Sequence, residues 1–223
     1  MDEATARRYA KLWEHVGPES SRRLLLAALE AFADRGFEAA TTRDISRRAG
    51  MSPAAVYVHY RSKVDLLDEI MRIGHESVLA EVTSAMDDHD APAARIAAFV
   101  SAFSSWHARY ATLGQVTARE LRSLPPDRFG PILMLRRTTE RILAEELERG
   151  AAAGELHVDD VQGTVRAILS LGVDSARWYA PQRGGDPESI GRLHADLVLR
   201  MLRPDVNGAR GDAGGDGANG GGE

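Results

Sequence analysis

Residues 41–63 read TTRDISRRAGMSPAAVYVHYRSK and contain two short helical patterns separated by a glycine. The opening threonine, with Asp44 three residues later, predicts the capped start of a first helix. Gly50 supplies the backbone conformation that the end of a helix favours. Ser52 and Pro53 predict a second start, with serine as the N-cap and proline at the first helical position. The stretch therefore predicts a helix-turn-helix.

The second helix, at about residues 53–60, is expected to enter the major groove of DNA with its first residues toward the bases. Those residues, Pro53, Ala54 and Ala55, are small and offer methyl-type contacts to thymine rather than paired hydrogen bonds. Arg43, in the first turn of the preceding helix, is the candidate for a long-reach contact to guanine. With so few base-reading groups, we expect sequence preference to depend partly on DNA shape.

The remaining candidates for DNA contact form a rim near the phosphates. They are Thr42, Tyr57, Val58, His59 and Tyr60, followed by Lys63 at the start of the next helix. The Lys63 ammonium and neighbouring backbone N–H groups could hold a phosphate. Tyr60 could instead be a packing aromatic, and Arg47 and Arg48 could be no more than a solvated face. His59 fits a phosphate donor better than a metal ligand.

These motifs resemble the DNA-binding domain of TetR-family transcriptional regulators. The resemblance is carried by Leu25, Ala28, Phe32, Gly36, Phe37, Thr41–Ile45, Ala49–Ser52, Val56–Tyr60, Ser62, Lys63, Leu66 and Leu67, in the order and spacing of the family. It implies that Thr42, Tyr57, His59 and Lys63 touch phosphates and that Arg43, Ala54, Ala55 and Val58 face bases. The family usually has alanine where Ser46 stands.

Charge divides the chain into a basic head and an acidic body. Residues 1–63 hold 11 Lys and Arg against 8 Asp and Glu, whereas residues 64–223 hold 17 against 25. A basic head on an acidic body suits a site-specific DNA binder, because the body adds no indiscriminate phosphate affinity. The sequence has no cysteine, which excludes disulfides and thiolate metal sites. With no signal-peptide core and no apolar run of membrane-spanning length, we expect a bacterial cytoplasmic protein, associated with the nucleoid when bound to DNA.

Apolar residues at helical spacing continue to about residue 203, and alternation typical of strands is absent. We predict an all-α fold with a three-helix helix-turn-helix domain joined to a larger helical ligand-binding and dimerisation domain. The predicted divisions are a flexible N-terminal arm at residues 1–20, the DNA-binding domain at 21–67, the effector-binding and dimerisation domain at 68–204, and a disordered Gly-rich tail at 205–223. A long helix from Ser62 would join head and body, with further helices at about 92–110, 111–122, 128–150, 158–180 and 187–203.

The last two predicted helices carry more apolar residues than one buried face needs. Pairing two copies as a four-helix bundle would use the surplus, so we expect a homodimer through these helices, as in the resembled family. The alternative is that these residues only close the core of the monomer. Dimerisation would also present two recognition helices to one operator.

The middle helices are predicted to enclose a small-molecule effector. Its candidate contacts are Phe103, Trp106, Tyr110, Arg119, Arg122 and Trp178. The resemblance implies a hydrophobic or acyl-CoA-like effector, with arginines at the mouth of an aromatic cavity; the aromatic stripe could also be plain core, and the arginines solvated ion pairs. We interpret the chain as a ligand-responsive regulator, and as a repressor, with no cofactor, no catalytic residue and no metal site. The alternatives are a non-sensing architectural DNA-binding protein or an enzyme built on the helical body.

Overall fold

The computed structural model describes residues 3–179 and 185–203, and in these ranges the chain forms ten α-helices and no strand. The helices are α1 Glu3–Leu12, α2 Glu19–Ala39, α3 Thr42–Arg48, α4 Pro53–His59, α5 Lys63–Met86, α6 Pro92–Arg109, α7 Ala111–Glu120, α8 Pro126–Ala152, α9 Val161–Trp178 and α10 Pro187–Met201, with a 3-10 turn at Leu121–Ser123. The all-α prediction is confirmed. The tail predicted at residues 205–223 lies outside the described ranges.

Local capping fixes the ends of the helix-turn-helix. The Thr41 hydroxyl accepts a hydrogen bond from the Asp44 N–H at 3.1 Å, and the Ser52 hydroxyl accepts one from the Ala55 N–H at 3.3 Å. Between α3 and α4, Gly50 has φ +64°, a conformation that residues with a Cβ rarely adopt. Each of these interactions spans only a few residues, which explains why the sequence predicts this motif correctly.

Helices α2, α3 and α4 enclose the core of the head, and α5 closes it. Leu25, Phe32, Ile45, Val56 and Leu67 are fully buried there. Helix α5 then continues without a break into the body. The proposed boundary between residues 67 and 68 therefore falls within one rigid element.

The body is built around α6, which packs against α5, α8, α9 and α10. The predicted body helices appear with small shifts of their ends. Helix α8 begins at Pro126 because proline suits the first helical position, and α9 begins at Val161 because Asp160 caps it through the Gly163 N–H. None of the helices in the described ranges has both the length and the apolar character needed to cross a membrane.

The prediction of a flexible arm at residues 1–20 is wrong for much of this segment. Residues 3–12 form α1, and Tyr9 and Trp13 are buried. The Tyr9 hydroxyl accepts a hydrogen bond from the Leu113 N–H at 3.2 Å, and its ring lies 5.6 Å from that of Tyr110. The sequence pattern did not indicate this burial, because the partners of Tyr9 in the body, Leu113 and Tyr110, lie far away along the chain.

We predict that Trp13→Ala destabilises the protein by about 3–5 kcal/mol, because it removes a large side chain of which only 1% is exposed. Urea unfolding at a fixed protein concentration measures the change. Lys11→Ala on the exposed side of α1 is the matched control and should change the free energy of unfolding by less than about 0.5 kcal/mol. Equal effects of the two substitutions would contradict the docking of α1.

Candidate DNA interface and effector region

Helix α4 presents large apolar side chains to the outside. Val58 is 78% exposed and Tyr57 is 57% exposed, whereas Val56 on the opposite side is fully buried. Pro53 and Ala54 are also exposed, and Ala55 is half-buried. One face of α4 therefore anchors the helix, and the other is free to enter a groove of DNA with small methyl-bearing side chains.

Arg43 differs from its neighbouring arginines. Arg47 pairs with Asp44 and Arg48 pairs with Asp34, both at 2.7 Å. The Arg43 side chain is exposed and makes no ion pair or hydrogen bond within residues 3–179 and 185–203. Its guanidinium is thus available for a base, while Arg47 and Arg48 form an ion-paired surface.

Hydroxyl and imidazole groups cross between helices along the rim. The Thr42 and Tyr57 hydroxyls lie 3.2 Å apart, and His59 Nδ1 lies 3.1 Å from the hydroxyl of Ser21. Tyr60 is half-buried, and burial raises the pKa of its phenol to about 12. Tyr60 thus contributes to the packing of the head, whereas Tyr57 is exposed and Thr42 and His59 are half-buried along the rim.

The Lys63 ammonium makes most of its contacts within the protein. Its ammonium donates to the carbonyls of Phe37 at 2.6 Å and Glu38 at 3.2 Å, and lies 4.2 Å from the centre of the Phe37 ring. An ammonium has three donors, so one remains for a phosphate. The structure thus gives Lys63 a part in joining α5 to the end of α2 that the sequence pattern did not indicate.

The helix-turn-helix and the helical body each match a known family model. Residues 24–70 match the bacterial regulatory proteins of the tetR family, and residues 89–202 match the tetracyclin repressor-like C-terminal domain. The chain belongs to the TetR family. It is accordingly a DNA-binding transcriptional regulator, and neither the family nor the relatives below are enzymes.

Similar proteins cover nearly the same length. The HTH-type transcriptional repressor KstR2 of Mycobacterium tuberculosis is 30% identical over 190 residues, which is 82% of this chain and 94% of the relative. A crystal structure of a tetR-family regulatory protein from Rhodococcus RHA1 superposes with a TM-score of 0.78 at 39% identity, over 84% of this chain and 98% of the other. The structure of the M. tuberculosis ketosteroid transcriptional regulator KstR2 gives 0.73 at 28% identity, over 82% and 96%.

In this TetR-family regulator, the aromatic effector candidates line up inside the body. Phe103 and Trp106 are buried on α6, and Tyr110 is buried at the junction of α6 and α7. The Trp106 and Tyr110 rings lie 5.3 Å apart, and the Trp106 Nε1–H donates to the Ser77 hydroxyl at 3.0 Å. The Tyr110 ring also contacts Tyr9 of α1, so Tyr110 takes part in the packing of the N-terminal helix. Phe103 and Trp106 therefore remain as the aromatic candidates for effector contact.

The other three effector candidates lie elsewhere, which corrects the prediction of arginines at the mouth of an aromatic cavity. The Arg119 guanidinium donates to the Phe32 carbonyl of α2 and pairs with Glu120 at 2.7 Å. Arg122 is exposed. Trp178 is 50% exposed, with its ring 6.3 Å from that of His194. Phe32 lies one turn before Gly36, whose φ of +80° interrupts α2, and carbonyls near the end of a helical segment attract a cation.

A polar group that sequence analysis missed lies in the body, on three different helices. It consists of His75 on α5, His107 on α6 and Arg136 on α8. Burial lowers the pKa of His107 to about 4, and the charges of His75 and Arg136 act in the same direction. Burial, together with the charge of Arg136, also lowers the pKa of His75. The one available signal was a histidine following Trp106 within an otherwise apolar helix face.

Proposed function

We propose that this regulator is a homodimeric repressor that leaves its operator when a small amphipathic molecule binds inside the body. The exposed face of α4, with unpaired Arg43 beside it, is the observation that carries the DNA-binding half of the proposal. Repression is supported by the relatives named KstR2, which are transcriptional repressors. The protein would act in the cytoplasm, associated with the nucleoid while bound to its operator.

The base-facing residues would read DNA weakly in a single copy. Ala54, Ala55 and Val58 offer apolar contacts, and Arg43 alone offers two parallel hydrogen bonds to guanine. Thr42, Tyr57, His59 and the third donor of Lys63 would position the helix on phosphates without reading sequence. Two copies at half-sites one helical turn apart would supply the missing specificity.

We expect the wild-type protein to bind the DNA upstream of its own gene in preference to random duplex, with affinity that falls as salt rises. Arg43→Ala should weaken binding to that DNA about 10- to 100-fold and leave binding to random duplex nearly unchanged. Mobility-shift titrations at two salt concentrations measure both quantities.

Arg47→Ala is the control, since Arg47 lies on the same helix and pairs with Asp44. An equal loss of affinity for both DNAs in Arg43→Ala would show that Arg43 contacts phosphate rather than base. A wild-type protein with no preference for its upstream DNA would contradict the proposed function as a whole.

An exposed apolar stripe on α10 supports dimerisation. Leu193, Leu197 and Met201, four residues apart, are 54%, 40% and 63% exposed. Half-exposed Trp178 ends the neighbouring helix α9. The opposite face of α10 is buried, since Ile190, Val198 and Leu202 close the monomer core. One face of α10 therefore closes the monomer core, and we propose that the exposed stripe on its other face contacts a second copy.

Leu197→Glu should convert the protein to a monomer, because it places a charge in the centre of an apolar interface. Sedimentation velocity at micromolar concentration measures the change. Met134→Glu is the control, since Met134 is 66% exposed on α8 and away from the stripe. A dimeric Leu197→Glu protein would exclude this face, and the monomer should also lose most of its operator affinity.

The contact between α7 and α2 offers a route from the body to the recognition helix. The Arg119 guanidinium donates to the carbonyl of Phe32, one turn before φ +80° at Gly36 interrupts α2. In a second contact between body and head, Arg128 of α8 donates to Asp65 at 2.6 Å and to Asp68 at 2.8 Å on α5. An effector that displaces α7 or α8 would move α2 and α5, and with them α4. Such a ligand acts only if it binds one of the two arrangements more tightly than the other.

Arg119→Ala should lower the free energy of unfolding by about 1–2 kcal/mol, because it removes charged hydrogen bonds at a partly exposed site. It should also raise the ligand concentration that releases operator DNA. A thermal-shift screen of acyl-CoA thioesters and steroid-like carboxylic acids supplies the ligand, and a mobility shift measures release.

The control for this variant is Arg122→Ala, since Arg122 is exposed and forms no ion pair in the described part of the chain. Unchanged release by Arg119→Ala would exclude this contact as the route.

A further inference from the structure

The polar group in the body is held in one orientation by the backbone. His75 Nδ1 lies 2.8 Å from the carbonyl of Met71, and His107 Nδ1 lies 2.8 Å from the carbonyl of Phe103. Because a carbonyl oxygen only accepts, each Nδ1 carries the proton and each neutral ring keeps Nε2 as its second nitrogen. Both rings thus turn the same atom away from their own helix.

The Nε2 of His107 has no hydrogen-bond partner among the described residues. Among the described residues, Nε1 of Trp13 is the only fully buried side-chain nitrogen or oxygen atom without a hydrogen-bond partner. Because the Nε2 of His107 is not such an atom, it is accessible to solvent, although only 7% of the residue is exposed. It faces a space that a molecule of the size of water can reach.

Arg136 is a cation whose charge acts on both histidines and which has no counter-ion among the described residues. The side chain is half-buried and has neither an ion pair nor a hydrogen bond in the described ranges. Other half-buried arginines of the body are paired, as Arg95 is with Glu146 at 2.7 Å and Arg109 with Glu81 at 2.9 Å. Partial burial of an unpaired guanidinium is unfavourable, and a bound anion would remove that cost.

Apolar rings adjoin this polar group. The centre of the His107 ring lies 4.3 Å from that of Phe103 and 5.0 Å from that of Trp106. The same histidine therefore touches both the aromatic pair and the polar group. A molecule that fits both would have a negatively charged end and an apolar remainder.

We propose that Arg136, together with His75 and His107, binds the anionic head group of an amphipathic effector whose apolar part lies against Phe103 and Trp106. The head group is a carboxylate or a phosphate, whose planar or tetrahedral oxygens accept paired hydrogen bonds from a guanidinium. This assignment rests on the proposed ligand-responsive function and names the chemistry of its ligand. It replaces Arg119 and Arg122 as the arginines that recognise the effector.

Calorimetric titration of the full chain with octanoate and octyl phosphate below their micelle concentrations, and with octanol below its solubility limit, tests the proposal. The wild-type protein should bind at least one of the two anions about tenfold or more tightly than octanol. Arg136→Gln and Arg136→Met should each lose that preference while binding octanol as before. The two anions distinguish a carboxylate site from a phosphate site.

Arg137→Gln is the matched control, because Arg137 is the next residue on α8, is exposed and has no ion pair in the described ranges. It should retain the wild-type preference. Two neutral variants are used so that one remains if the other does not fold, as judged by circular dichroism.

Equal binding of anions and octanol by the wild-type protein, or an unchanged preference in a folded Arg136 variant, would overturn the head-group site. Absence of binding of all three probes would overturn it as well. Mobility shifts on the upstream DNA need no ligand, so they report separately whether the proposed function itself stands.

Discussion

The end of helix α2 is held by two cations that come from opposite directions. Helix ends leave their last carbonyls without partners and carry a partial negative charge. Lys63, at the start of α5, donates to the Phe37 carbonyl, and Arg119, at the end of α7, donates to the Phe32 carbonyl. Gly36, whose φ is +80°, interrupts α2 between these two carbonyls. These contacts join the head to the body in addition to the continuous helix α5, and the orientation of α4 relative to the body depends on both.

This arrangement suits a protein whose DNA-reading surface is small. Helix α4 has seven residues, is anchored by Val56, and presents Val58 and Tyr57 to the outside. A helix of that length gives little discrimination alone, so in the proposed dimer the spacing and angle of two copies would decide how well an operator is bound. Movement of the C-terminal part of α2 would alter that angle. Under the proposed mechanism, small displacements in the body would then change operator affinity.

The interior of the body combines packing with polar chemistry that packing does not need. Phe103 and Trp106 fill the centre of α6, as an aromatic stripe in any helical core would. His107 contacts both rings, and burial lowers its pKa to about 4 because it disfavours the imidazolium. The charge of Arg136, which has no counter-ion in the described part of the chain, acts in the same direction. Structural cores pair or exclude such groups, since unpaired buried charge is unfavourable. Such polar groups beside apolar rings are typical of a ligand-binding site.

The amino-acid sequence by itself determined the helix-turn-helix, the ends of most helices and the all-α class. The cap at Thr41, the turn at Gly50 and the periodic apolar faces each involve residues at most a few turns apart. A short stretch of sequence is therefore enough to predict them. Tertiary structure alone decided the rest. Tyr9 meets Leu113 across 104 residues and Arg119 meets Phe32 across 87, and no short pattern encodes a partner at such separations. The burial and contacts of a charged or aromatic side chain therefore depend on which distant part of the backbone lies next to it in the folded chain. For this reason the sequence-based interpretation of the arm and of the effector arginines was wrong.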